Sequence, residues 1–225
     1  MHWLERWLLP SKCVLTGEGS GLLDISEYLV DTWSKPEEVC PQCCEPSPSS
    51  QVCGACLTQT PSFDRTQVGF YFEEELAGLV HGLKYQNRLA YSRILAELLV
   101  KSVDAEAVDA VVAVPLHLNR RRSRGYNQAE LIAQEMARIL QIPLIRDGIE
   151  RVVDTPSQTH LDADERRRNL KGAFKVVPEA FSAVNRIALV DDVITTGATM
   201  QQLASEIKSR TDIEWIEAWA VAKTK

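Results

Sequence analysis

Apolar residues recur along this chain with two alternating periods. Val68 to Phe72 is β-branched and aromatic and predicts a strand. Leu76, Leu79, Val80 and Leu83 follow at helical spacing, and Ile94, Leu95, Leu98 and Leu99 mark a second helix. Ala110 to Val114 is wholly apolar, as expected of a strand buried on both faces of a parallel sheet. Ala129, Ile132, Ala133, Met136 and Leu140 predict the helix after it. Ile187 to Val190 is a second buried run, Leu203, Ala204 and Ile207 a further helix, and Trp215 to Ala222 a last strand. This alternation predicts an α/β fold, a mainly parallel sheet flanked by helices. No stretch reaches about 18 apolar residues without charges, so no membrane span is expected.

The first 62 residues read differently. Residues 34–62 hold Pro36, Pro41, Pro46, Pro48, Pro61 and several serines, which suit loops and knuckles. All six cysteines (Cys13, Cys40, Cys43, Cys44, Cys53 and Cys56) precede residue 57. A boundary near residue 62 is therefore expected, with a cysteine-rich module over 1–62 and a larger domain over 63–225. The second part is long enough for one sizeable core.

Charge follows the same division. The chain carries −6, with three basic and eight acidic residues in 1–62 (net −5) and −1 in the rest. Such acidity speaks against coating nucleic acid through bulk charge. Residues Met1 to Arg6 carry early charges and no long apolar stretch, so no secretory signal is read there. The expected setting is cytoplasmic, where clustered cysteines bind metal more often than they pair.

Cys40-Pro41-Gln42-Cys43 and Cys53-Gly54-Ala55-Cys56 present two thiolates each from a tight knuckle, nine residues apart. Cys40, Cys43, Cys53 and Cys56 can complete a tetrahedral four-thiolate site for structural Zn²⁺, which would order a segment without a large core. Unliganded thiols, a labile disulfide or an iron–sulfur cluster are the alternatives. Cys43 is preferred over Cys44 because it completes the spacing. Cys13-Val14-Leu15-Thr16 holds no second cysteine, and residues 17–39 contain none, so Cys13 is expected to be a free or packed thiol.

The strongest chemical signal is Ile187 to Thr199. A buried strand ends in Asp191 and Asp192, and a hydroxyl-rich turn, Thr195-Thr196-Gly197-Ala198-Thr199, leads into a helix. In open α/β sheets, ligands bind beyond the carboxyl ends of strands. The turn can wrap a phosphate with backbone N–H groups and hydroxyls at a helix N-terminus, and Gly197 permits the tight path. The two acids can accept hydrogen bonds from vicinal ribose hydroxyls or approach a metal through water. A strand–turn–helix with Thr caps and solvated acids is the plain alternative.

Residues 115–125, after the other buried strand, carry Arg120, Arg121, Arg122 and Arg124 and no acid, a local +4. Guanidinium groups suit a dense anion such as a diphosphate. A solvated face or contacts to nucleic-acid phosphates would use the same residues. A further stretch, Arg151 to Lys171, nets +1 and lacks a long apolar face. It reads as a mobile lid or a surface excursion.

The 187–199 string resembles the PRPP-binding motif (PRPP, 5-phosphoribosyl 1-pyrophosphate) of type I phosphoribosyltransferases: four apolar residues, two acids, an apolar residue, two variable or small residues, then Thr-Gly-x-Thr. Leu83-Lys84-Tyr85, Val114-Pro115-Leu116-His117, Arg124-Gly125-Tyr126-Asn127-Gln128, Arg166 with Asn169, and Asp191-Asp192 occur in one order behind a cysteine module. Together they resemble the ComF family, also called GntX-like, over nearly the whole chain. The resemblance implies a type I phosphoribosyltransferase fold with an N-terminal zinc module. Asp191 and Asp192 would hold the ribose and Mg²⁺, and Thr195, Thr196, Gly197, Ala198 and Thr199 the 5′-phosphate. Lys84, Pro115, Leu116, His117, Arg124 and Gly125 would hold the pyrophosphate. Arg151, Gln158, Arg166 and Asn169 would belong to a flexible loop. PRPP is the implied ligand, with an acceptor that nothing in the sequence identifies. A non-catalytic alternative is a competence or DNA-utilisation factor that binds PRPP or single-stranded DNA and a helicase partner. A homo-oligomer is left open.

Overall fold

The computed structural model describes residues 12–20, 24–154 and 172–225, and in it the alternating pattern becomes a sheet with helices on both faces. Its strands are β1 (Arg65–Tyr71), β2 (Ala110–Ala113), β3 (Leu144–Ile145), β4 (Ile149–Arg151), β5 (Phe174–Val176), β6 (Arg186–Ile194) and β7 (Trp215–Lys223). Five of them form one sheet in the order β1-β7-β6-β2-β3, every neighbouring pair parallel. The remaining two, β4 and β5, make a separate antiparallel ribbon. The α-helices among the described residues are α1 (Glu27–Asp31), α2 (Gly54–Thr58), α3 (Glu74–Tyr85), α4 (Tyr91–Val100), α5 (Leu118–Arg124), α6 (Gln128–Leu140) and α7 (Ala198–Arg210). None of them is long and apolar enough to cross a membrane.

Successive residues of a strand point to opposite faces, and the central strands are apolar on both. Val111, Ala188, Val190, Trp219 and Val221 face one core, which α3, α4 and α6 close with Leu79, Leu95, Ile132 and Met136. Val112, Ile187, Leu189 and Ala218 face a second core, closed by Leu203 and Ile207 of α7 and by Phe174 and Val176 of the ribbon. Burial on both sides explains why these strands read as continuous apolar runs.

The chain leaves β2 toward β3 at one edge and leaves β6 toward β7 in the other direction. These two strands are neighbours, so a crevice opens between their carboxyl ends. That is the topological switch point where open α/β sheets bind ligands.

Residues 118–124, which carry the four arginines, are helical. His117 Nδ1 accepts from Asn119 N at 3.3 Å to cap α5, and Gly125 ends it at φ 88°, in the left-handed region that favours glycine. Asn127 then caps α6 by accepting from Ala129 N at 3.2 Å.

At the opposite end of the sheet, Glu217 is fully buried on β7. Its carboxylate accepts from Gln67 Nε2 at 2.6 Å, Trp219 Nε1 at 2.7 Å and Trp215 Nε1 at 3.0 Å. Glu217→Ala strands three donors in the interior. The expected loss is about 3 kcal/mol of unfolding free energy in urea titrations, and Glu217→Gln, which keeps one acceptor oxygen, loses less.

Candidate functional site

Strand β6 outruns its neighbour. Its pairing with β2 ends at Ala113↔Val190, with Val114 N donating to Val190 O at 2.9 Å. Pairing with β7 continues through Asp191↔Ala220 to Ile194↔Lys223. The sequence predicted a strand ending at Val190. The strand runs four residues further because β7 is long enough to hold it, and both acids sit on this one-sided extension.

Asp192 is 3% exposed, and its Oδ2 lies 2.7 Å from Lys84 Nζ at the end of α3. Its Oδ1 accepts from Val193 N, and Asp191 Oδ1 accepts from Asp192 N, both at 2.9 Å. Burial, and then the charge of Asp192, push the Asp191 carboxyl well above the usual carboxylate range, against the pull of Lys84. Burial alone would depress Lys84. The Asp192 and Asp191 carboxylates outweigh it and hold the ammonium above the ordinary lysine value.

Beyond the acids, Thr195 and Thr196 are exposed, and Gly197 adopts φ 72° ahead of α7. A Cβ at Gly197 would meet nothing within 4 Å, so glycine serves the backbone angle there and not a close approach. Thr196 Oγ1 accepts from Ala198 N at 3.5 Å, while Ala198 is buried and Thr199 half-buried. The first N–H groups of α7 open onto this turn.

The other wall is residues 115–128. Pro115 and Leu116 leave β2, and His117, Asn119 and Arg120 gather round Asp154. His117 Nδ1 lies 3.4 Å from Asp154 Oδ2, Asn119 Nδ2 donates to it at 3.0 Å, and Arg120 Nε is 3.6 Å from Oδ1. Hydrogen bonding from Asn119, together with His117, Arg120 and Arg151, holds the Asp154 carboxyl below its usual range.

Arg124 is held by two neighbours. It lies over the Tyr85 ring at 5.4 Å and donates to the Gln128 side chain. The Tyr126 hydroxyl donates to Leu83 O, and Asn127 Nδ2 donates to Val114 O at 3.0 Å. The Arg-Gly-Tyr-Asn-Gln block thus fastens α5 and α6 to the end of β2 and to α3 beside Lys84. Arg151, half-buried at the end of β4, lies over the Phe174 ring at 5.7 Å. Burial and Arg120 lower its pKa, and Asp191 and Asp154 oppose them, which puts it in electrostatic reach of Asp191. Gln158, Arg166 and Asn169 lie outside the described residues. A cavity of about 530 Å³ adjoins this wall on the β3 side, lined by Pro115, Leu116, Arg121, Glu130, Arg146 and Arg151.

Sequence reasoning missed the Lys84–Asp192 pair as a resting contact. Lys84 stood out only through the Leu83-Lys84-Tyr85 motif, as a residue expected on the pyrophosphate side and not as the partner of an acid. It also missed Asp154 as the acid that gathers the β2–α5 wall.

The four predicted thiols converge. The sulfurs of Cys40, Cys43, Cys53 and Cys56 lie within 4.8 Å of one another, and Cys43 Sγ is 3.6 Å from Cys53 Sγ. Tetrahedral zinc with ~2.3 Å bonds needs sulfurs ~3.8 Å apart. Cys53 N donates to Cys40 Sγ at 3.3 Å. Burial works against the Cys40 thiolate, but donors at Cys53, Cys43 and Gln42 bring its pKa down to about 7. Burial pushes Cys43 up to about 11 and raises Cys56. Such a set fits a metal ion such as zinc. Cys44 is buried outside the cluster, as is Cys13.

The fold and site together define a parallel α/β protein with an acid- and hydroxyl-lined crevice at its switch point and a four-cysteine cluster in its N-terminal part. No family model matches the chain. It is 39% identical over 182 residues to Competence protein F of Haemophilus influenzae, covering 77% of this chain and 79% of that protein. It is 31% identical over 194 residues to DNA utilization protein YhgH of Escherichia coli K12, and 34% to that of Salmonella typhimurium, covering 83% of this chain and 84% of each relative. The chain belongs to the ComF family.

The raised Asp191 pKa makes a signed prediction. A carboxyl whose folded pKa exceeds its unfolded one weakens the fold as pH rises, since its ionisation is penalised only in the native state. Asp191→Asn is therefore expected to raise Tm at about pH 8. The gain should vanish as the pH falls below the ordinary aspartate pKa of about 3.9, where both states are protonated. Differential scanning calorimetry across that range measures it.

Proposed function

We propose that the crevice binds PRPP together with Mg²⁺, as in type I phosphoribosyltransferases, and that the protein works as a competence or DNA-utilisation factor of the ComF type. The observation that carries this reading is the one-sided extension of β6, which presents two acids and then a hydroxyl turn at the switch point. Asp191 and Asp192 accept from the ribose hydroxyls. Residues 195–199 donate to the 5′-phosphate from the start of α7. Pro115, Leu116, His117, Lys84, Arg124 and Gly125 line the diphosphate side, with Arg124 swinging off Tyr85 to reach it. Arg151, at the end of β4, adds positive charge on the side of Asp191. Mg²⁺ supplies charge neutralisation of the diphosphate.

In a transfer reaction, the bond from the anomeric carbon to the diphosphate oxygen breaks and pyrophosphate leaves with the electron pair. A nucleophilic atom of an acceptor forms the new bond to that carbon. The residues named contribute position and electrostatic stabilisation of an oxocarbenium-like state. The division into 1–62 and 63–225 belongs to the same reading, with the first part a structural zinc module and the second the PRPP-binding domain of a cytoplasmic protein.

A second reading starts from the words competence and DNA utilization in the relatives' names and adds to them that the protein handles single-stranded DNA beside a helicase, with or without PRPP. Exposed Arg121 and Arg122 on α5 offer phosphate contacts, whereas the −5 of residues 1–62 opposes them.

Isothermal calorimetry with PRPP and Mg²⁺ is expected to give saturable heat with the wild type. Asp191→Asn/Asp192→Asn should bind more than about tenfold more weakly, since each lost charge-assisted hydrogen bond is worth about 1.5–3 kcal/mol. No heat with the wild type rejects the proposal. Pyrophosphate release across a panel of bases then separates enzyme from sensor. Single-stranded DNA binding that survives saturation with PRPP supports the second reading. Elemental analysis is expected to find about one zinc per chain, lost in Cys40→Ser with a fall in Tm. A metal-free, folded wild type contradicts the zinc module.

A further inference from the structure

We infer that the cysteine cluster braces the 195–197 turn from both sides, so that closing the four-thiolate site sets the shape of the turn. The consequence for ligand affinity rests on the PRPP reading above, whereas the mechanical link does not.

One brace starts at the first knuckle. Cys40 N donates to Glu45 O and Cys44 N to Cys40 O, both at 2.8 Å, so Glu45 moves with the knuckle. Glu45 Oε1 lies 2.7 Å from Lys223 Nζ, whose side chain is only 5% exposed. Lys223 is paired in register with Ile194, and Thr224 N donates to Ile194 O at 3.1 Å. Ile194 is the residue immediately before the turn. The knuckle is also seated on β1, where Thr66 N donates to Pro41 O at 2.9 Å.

The other brace starts at the second knuckle. After Cys56 and the end of α2, Ser62 N donates to Gln201 Oε1, and Gln201 Nε2 donates back to Ser62 Oγ, both at 2.8 Å. Gln201 sits in the first turn of α7, and its N–H donates to Gly197 O at 2.9 Å. Asp64 then grips Lys208 further along the same helix, at 2.8 Å.

The turn is thus held at Ile194 by the Cys40 knuckle and at Gly197 by the chain leaving the Cys53 knuckle. The two knuckles meet at the sulfur cluster. With a metal bonded to all four sulfurs, the two anchors are parts of one rigid body. Without it, they are joined there by weak thiol contacts and can shift independently.

Amide hydrogen exchange on the full chain tests the link, with α6 as internal reference. Chelation of the metal, or Lys223→Met in the metal-loaded protein, is expected to speed exchange at residues 194–201 on the order of tenfold while α6 is unchanged. Gln201→Leu should do the same from the other side and serves if Lys223→Met does not fold. Lys225→Gln, which removes the neighbouring ion pair with Glu73, should have no effect. Where the wild type binds PRPP, Lys223→Met should retain its zinc and bind PRPP on the order of tenfold more weakly. Unchanged protection at 194–201 after chelation and in both variants overturns the inference. Altered protection in a wild type that binds no PRPP leaves the brace standing and removes the ligand reading alone.

Discussion

Strand β6 is paired on both flanks only as far as Val190, and on one flank from Asp191 to Ile194. Most of the site follows from that asymmetry. A strand hydrogen-bonded by β7 alone stays straight enough to carry its residues past the body of the sheet. Its free flank then forms one wall of a crevice whose other wall is the chain leaving β2. Two consecutive acids on a doubly paired strand would point into the two apolar cores, at severe cost. On the extension they are half-released from that constraint. Asp192 needs Lys84, and Asp191 is left with a penalised charge.

The two ends of the sheet treat buried carboxylates differently. Glu217 is fully buried and accepts from three neutral N–H donors, with the Arg65 guanidinium 3.9 Å away, so most of its acceptor capacity is used. Asp191 has its neighbour's N–H and an unfavourable like charge. A carboxylate with its acceptor capacity filled is a structural element. One with capacity to spare and a raised pKa gains from any donor or cation that arrives. The contrast lies in the neighbours, since both groups sit on long central strands of the same sheet.

Much of this was legible in the chain itself. The apolar runs at 110–114 and 187–190 marked strands buried on both faces, and the helical stripes marked α3, α4, α6 and α7, because burial forces those periods. The four thiols were legible from spacing alone, since a C-x2-C knuckle has little geometric freedom. The less visible features depend on contacts far apart in sequence. Strand β3 is two residues at a sheet edge, too short for a period. Helix α5 is polar after Leu118, with no apolar stripe to announce it, and forms between the caps His117 and Gly125. The reach of β6 is set by β7, which starts 21 residues after β6 ends. The Arg-Gly-Tyr-Asn-Gln block was conspicuous as a motif, yet the resting contacts of Arg124, Tyr126 and Asn127 fasten elements together.

The turn at Cys13 bears on what a metal contributes. Cys13 N donates to Glu18 O at 2.7 Å and Gly17 N to Cys13 O at 2.8 Å, between a bridge that pairs Lys12 with Gly19. The Cys40 knuckle repeats each contact, from Cys40 N to Glu45 O and Cys44 N to Cys40 O, between a bridge that pairs Val39 with Pro46. Gly17 and Cys44 occupy equivalent left-handed positions, at φ 75° and 59°. The Cys13 turn keeps this shape although Thr16 stands where Cys43 stands in the other. Backbone hydrogen bonds and one left-handed residue therefore suffice to shape a knuckle. What backbone bonds within a knuckle cannot do is hold two knuckles at a fixed separation, and four metal–sulfur bonds can. A metal bound there would act at the junction between the knuckles, and each knuckle would pass its effect to whatever it touches: Glu45 and Lys223 on one side, and on the other the chain that ends at Ser62 and Gln201.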